Sequence, residues 1–248
     1  MKRKIFITFL LFIFSLIYLY KGVYFIQEND ALMQEIKEKQ GNYYIEPVDA
    51  IITNHTMIPG INGRKVNLQK SYQKMKKVKY FQESMLVFDK IKPSKLLENH
   101  YNKVIISLNK SQNTIYLILN ISNEYLFNSL NKILISQNIY SDILANKQYN
   151  LDNTNYNNIL STIPYFFTNY CLSYNLNINS DCIKNHLYTF LGYPINNNFL
   201  NNLKNNLDNK RIIVLSFNEN NYQELNVIIK YLKNNNYSFT TADRIIDK

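Results

Sequence analysis

Few residues in this 248-residue chain are of the kinds that do chemistry: three His and two Cys, with 18 acids set against 28 Lys and Arg. His55, His100 and His186 stand in separate segments with no ligand spacing between any two. Zinc sites usually show clustered Cys and His, so each of the three reads as an ordinary surface or loop histidine. Ser216 ends an apolar run but lacks the G-x-S-x-G turn that exposes a nucleophile. Glu219 and Glu224 follow it and could in principle form an acid pair, although carboxylates in a polar loop are ordinarily solvated. Cys171 and Cys182 are near enough in sequence to close a short loop outside the cell, or to stay as two buried thiols. Arg64, Lys65, Lys70, Lys74, Lys76, Lys77 and Lys79 form a stretch with no acid among them. Such a face could meet an anionic envelope polymer or lipid headgroups, or simply be a solvated surface.

Composition removes several classes. There are 5 Gly and no GxGxxG or GxxxxGK[ST] pattern, which argues against a phosphate-cradling loop. Hydrophobic content of 46% supports a real core. The 40 Asn, with much Lys, Ile and Tyr, fit an AT-rich coding sequence and carry no functional weight.

The elements that must position these residues begin with a basic flank, Met1 to Lys4, and an uncharged apolar run, Ile5 to Tyr20. Lys21 can snorkel, and Tyr18, Tyr20 and Tyr24 suit an interfacial aromatic belt. This predicts an uncleaved signal anchor over residues 1–26, N-terminus inside and the rest outside. The rival, a cleaved signal peptide, needs a small-residue cleavage site, and the first Ala is Ala31. Residues 27–41 read as a helical stalk ended by Gly41, and 42–100 as a small α+β module. That module holds expected strands at Asp49–Ile52 and Ser84–Phe88 and a helix capped by Asn67.

From residue 101 the pattern is α/β. Strands are expected at Val104–Leu108, Thr114–Asn120, Ile139–Leu144, Leu187–Leu191, Arg211–Phe217 and Tyr237–Thr240. Helices are expected after Ser122 or Asn123, at Asn155–Ile163, Phe199–Leu207 and Asn221–Asn234, with a last turn at Ala242–Asp247. Strands alternating with helices imply parallel pairing.

Three stretches resemble polysaccharide deacetylases of the NodB type. Arg211–Phe217 with the run Tyr222–Ile246 is similar to that family's last strand and helix. Thr114–Asn120 and Gln137–Leu144 look like its first strand and its "NIKATFF" strand. Ile58–Lys76 is similar to a module of envelope-anchored deacetylase-like proteins of Gram-positive bacteria. The resemblance implies a (β/α)-barrel, abbreviated here because too little chain follows residue 101 for the usual eight repeats. It also implies a divalent metal held by one Asp and two His, with a second Asp as base. At the matching positions this chain has Asn120, Ile121 and Ser216. No His lies between Ala145 and Tyr170, where the family's His pair would fall. Amide and hydroxyl cannot replace carboxylate and imidazole as ligands, so no catalytic residue, metal or cofactor is expected.

The expectation is therefore an envelope-facing, membrane-anchored, deacetylase-like protein that has lost catalysis. Its partners would be the membrane, through the N-terminal helix, and a cell-wall glycan or anionic polymer. An active enzyme with relocated ligands and a scaffold of envelope assembly are the alternatives. Nucleic acid, suggested by the net charge of +10, conflicts with the outward location.

Overall fold

The computed structural model describes Ser15 and residues 27–98 and 100–246. Apart from Ser15, the expected anchor and its flank lie outside the described residues, and no helix among those described is long and apolar enough to cross a membrane. In chain order the elements are α1 (Ala31–Lys39), β1 (Ile51–Ile52), β2 (Thr56–Ile58), β3 (Gly63–Val66), α2 (Leu68–Met75), β4 (Phe88–Ile91) and β5 (Val104–Ile105). Then come β6 (Thr114–Asn120), α3 (Glu124–Gln137), β7 (Ser141–Leu144), β8 (Tyr156–Ser161), β9 (Tyr170–Ser173) and α4 (Ser180–Lys184). The last are β10 (Thr189–Leu191), β11 (Tyr193–Ile195), α5 (Phe199–Asn206), β12 (Ile212–Ser216), α6 (Glu224–Asn234), β13 (Ser238–Thr240) and α7 (Ala242–Ile246).

The chain divides into two units, and the division differs from the boundaries expected at 41 and 100. The smaller takes residues up to Pro47 and Asn62–Lys92. Here α1 is no free-standing stalk. It buries Leu32, Met33 and Ile36 against Tyr72, Met75, Val66 and Leu86, because an amphipathic helix with an apolar stripe needs a partner. Asp30 caps its first turn and also accepts the Tyr72 hydroxyl at 2.9 Å. Asn67 caps α2, as expected, while Asp89 holds the Asn67 amide. The strand expected at Ser84–Phe88 is a 3₁₀ turn, Glu83–Met85, followed by β4. Pairing with β3 sets this register, with Val66 opposite Phe88 and Gly63 opposite Ile91. At Gly63 a Cβ would sit 2.3 Å from the Ile45 carbonyl oxygen, so no side chain fits.

The larger unit takes Val48–Ile61 and everything after Pro93. Residues 48–61 leave the expected module because β2 pairs in parallel with β5 and extends the main sheet. Strands β6, β7, β8, β9, β10 and β12 pair in parallel as the α/β pattern requires. Only Gly192 separates β10 from β11. The first half of that stretch pairs with β9 and the second half with β12, which in turn pairs with β6. Six parallel strands thus return on themselves, an abbreviated barrel-like ring. Gly192 faces its inside, where a Cβ would come within 2.6 Å of Val214 Cγ2 and 3.0 Å of Leu172 Cδ1.

Alternation along the strands makes two apolar layers, because a parallel sheet is covered on both faces. Ile115, Leu117, Leu119, Ile213 and Leu215 pack outward against α3, α5 and α6. Tyr116, Ile118, Leu160, Leu172, Phe190 and Val214 fill the ring, joined by Ala242 and Ile245 of α7. The helix expected at Asn155–Ile163 is instead β8, a buried central strand. Its polar Asn157 and Asn158 mislead a periodicity reading, since both amides find partners inside the fold.

Candidate functional site

Parallel strands carry their C-terminal ends to one face, the usual place for a site in such folds. Asn120 and Ser216 end the neighbouring strands β6 and β12 in register, and the Asn120 amide donates to Ser216 Oγ at 3.1 Å. Asn120 and Ile121 line an open cleft of about 380 Å³ together with Ser122, Asn146, Thr162 and Tyr174. The full lining, which also takes in Leu144, Ala145 and Ser161, is amide, hydroxyl and apolar; it contains no carboxylate, imidazole, Lys or Arg. Such a surface can exchange hydrogen bonds with neutral hydroxyl and amide groups and offer a ring face to an apolar one. It has nothing to ionise water or to hold a divalent cation.

The histidines are elsewhere. His55, His100 and His186 precede β2, β5 and β10, so they stand at the opposite, N-terminal ends of those strands. Among the described residues no group of three His, Cys, Asp or Glu is placed to hold a metal ion. Glu219 is exposed and accepts from Asn123, while Glu224 is an exposed first-turn residue of α6. Cys171 and Cys182 are joined as a disulfide between β9 and α4. All seven residues of the basic stretch are exposed. Lys70, Lys74 and Lys77 follow helical spacing along and just beyond α2, opposite the buried Tyr72 and Met75.

One group was missed from sequence. Asp142 of β7 is wholly buried. Its carboxylate accepts from the Tyr116 hydroxyl at 2.7 Å, the Ala242 backbone N–H at 2.7 Å and the Asn158 amide at 3.0 Å. Burial pushes this carboxyl up to about 6, against the pull of those three donors, and nearby Asp243 adds to the rise. Burial also raises the Tyr116 hydroxyl well above its ordinary value. Nothing in the local pattern Ser141-Asp-Ile-Leu144 signals an interior acid, since its partners come from β6, β8 and α7. Asp142 anchors the start of α7 and does not line the cleft.

The fold so described is polysaccharide-deacetylase-like. Superposition places it on BA3943, a CE4 family pseudoenzyme from Bacillus anthracis. The wild-type form matches with a TM-score of 0.61 and 18% identity over 88% of this chain and 95% of that one. A variant of BA3943 with restored enzymatic activity matches at 0.60, over 87% of this chain and 97% of its own. At 18% identity the likeness concerns the fold. No family model matches the sequence. A Bacillus subtilis (strain 168) protein, "Uncharacterized protein YlxY", is 37% identical over 100 residues. That match takes in 39% of this chain and 31% of the relative, so it spans about a third of the relative's length.

Proposed function

We propose that this chain is a non-catalytic, deacetylase-like protein that holds a cell-envelope glycan in the cleft at Asn120. One observation carries the reading: where a metal-dependent deacetylase needs a carboxylate and an imidazole, the ends of β6 and β12 present Asn120 and Ser216 bonded to each other. A neutral lining of amides and hydroxyls with one tyrosine suits N-acetylated sugar rings, which combine hydroxyls, an amide and apolar C–H faces. The fold shared with a protein named as a pseudoenzyme supports the loss of chemistry. The apolar run Ile5 to Tyr20 supports anchoring, and the disulfide supports an oxidising, outward location.

The test uses the full chain in detergent or lipid nanodiscs. With chitooligosaccharides and added zinc, cobalt or manganese, no acetate is released, while calorimetry reports binding. Metal-dependent acetate release overturns the non-catalytic part, and absence of binding to any N-acetylated glycan overturns the glycan part.

A further inference from the structure

The loops that follow β8 and β9 leave the ring at the same end as Asn120, and they expose an unusual amount of apolar surface. Phe166 is 92% exposed, Ile163 56%, Leu176 53%, Tyr174 46% and Tyr165 42%. Exposed apolar side chains gathered on two neighbouring loops are candidates for an interaction site. Its chemistry narrows the occupant. From Asn153 to Ser180 the chain carries no charged residue, so this rim offers nothing to a phosphate, an anionic lipid or an acidic peptide. It does offer ring faces set among amides and hydroxyls.

The rim is also built rather than loose. Thr168 and Tyr165 bond reciprocally, backbone to backbone at 2.9 Å and Tyr165 N–H to Thr168 Oγ1 at 2.9 Å. The rings of Tyr165 and Phe167 stack at 5.2 Å, and Phe166 meets Phe167 edge to face at 5.3 Å while staying almost fully exposed. Ser173 Oγ donates to the carbonyls of Asn175 and Asn177, and the Cys171–Cys182 disulfide brackets that second loop. Asn179 links the two loops through the Thr162 carbonyl at 3.5 Å. Ordering of this kind lowers the cost of binding. The rim is continuous with the cleft, since Thr162 and Tyr174 belong to both.

We infer that Phe166 and its neighbours form a stacking ridge that extends the Asn120 cleft, so the ligand is a neutral glycan chain several sugars long rather than a single sugar or a dimer. The inference rests on the glycan reading of the cleft and adds chain length and a named aromatic to it. The test compares the dimer and hexamer of N-acetylglucosamine on the full chain in nanodiscs, by calorimetry. The wild type binds the hexamer about tenfold more tightly than the dimer, a gain of the size expected for one or two ring contacts. Phe166→Ala removes that advantage and leaves dimer binding unchanged, while Phe166→Tyr, which keeps the ring, retains it. Equal affinity for dimer and hexamer in the wild type, or a hexamer advantage that survives Phe166→Ala, overturns the ridge and leaves the cleft reading standing. Failure of both sugars to bind overturns the two readings together. Loss of adsorption to phosphatidylcholine vesicles, or of a crosslink to a protein, in Phe166→Ala with glycan binding intact would assign the ridge to lipid or protein and overturn the inference.

Discussion

The two ends of the strand ring treat acidity in opposite ways. Inside, where water does not reach, the chain keeps a carboxyl, Asp142, and surrounds it with three donors. At the open end, where a carboxylate would cost little and could do chemistry, it has Asn120 beside Ser216. A buried acid must be matched by several partners at once, so it is bound up with structure. A cleft acid answers mainly to chemistry, and where no chemistry calls for it an amide serves as well. This contrast separates what holds the domain together from what would contact a ligand, and each part can be tested.

The largest expected effect is at the sealed end. Asp142→Ala leaves the Tyr116 hydroxyl, the Ala242 N–H and one Asn158 N–H facing a small void. Each buried, unmade hydrogen bond costs about 1–3 kcal/mol, so the larger unit loses about 4 kcal/mol in all. Urea unfolding followed by circular dichroism measures it. A loss below about 1 kcal/mol would mean that Asp142 does not tie β7 to α7.

Next in size is a pH effect with a definite sign. The folded Asp142 carboxyl sits at about 6 against an ordinary value of 3.8. Below pH 4 both folded and unfolded chains hold this proton. Between pH 4 and 6 the unfolded chain releases it first, so stability falls as pH rises. At 1.36 kcal/mol per unit the loss is about 3 kcal/mol by pH 7. Asp243 works the other way. Burial pushes its carboxyl up, but hydrogen bonds from Thr241, the Arg244 backbone, Asn158 and Asn157 outweigh that and leave it lowered. Its contribution is present above the ordinary carboxylate range and fades on acidification. The difference between wild type and Asp142→Asn isolates the first effect: the wild type loses stability from pH 4 to 6 relative to the variant. Parallel pH profiles would refute it.

The disulfide lies between the two ends, since it braces a loop of the open face from a buried position on β9. Reduction, or Cys171→Ser with Cys182→Ser, lowers stability by roughly 2–3 kcal/mol, the loop-closure value for a loop of this length. Denaturation with and without dithiothreitol reads the difference. No change on reduction would show that the loop is held by Ser173 and its carbonyl partners alone.

The same contrast explains what could be read from sequence. Strand β6, helices α3 and α6, and strand β12 follow apolar patterns that belong to each segment alone, and their ends fall within three residues of where the pattern puts them. That Asn120 and Ser216 stand at strand ends was legible because a motif marks the end of a strand. What was not legible depends on distant partners. Strand β8 reads as helix because Asn158 looks like surface, yet it is buried by its bonds to Asp142 and Asp243. Strand β11 contains Pro194, which argues against an interior strand until the bend at Gly192 is known. Strand β4 takes its register from β3 across a long intervening stretch of chain.

The smallest expected effect is at the open end and completes the comparison. Asn120→Asp places an acid at the position where the resemblance implies a metal ligand. The Ser216 hydroxyl can turn to donate where it now accepts, so the bond between the two strand ends survives. The new carboxylate faces the cleft and keeps much of its water, so stability changes by less than about 1 kcal/mol. One carboxylate among amides and hydroxyls still falls short of the donor set that a divalent cation needs, so equilibrium dialysis finds no tightly bound zinc. A destabilisation as large as that of Asp142→Ala would mean that the Asn120 end is sealed like the interior. Stoichiometric zinc in the single variant would mean that further ligands stand ready around the cleft, and it would count against the non-catalytic reading.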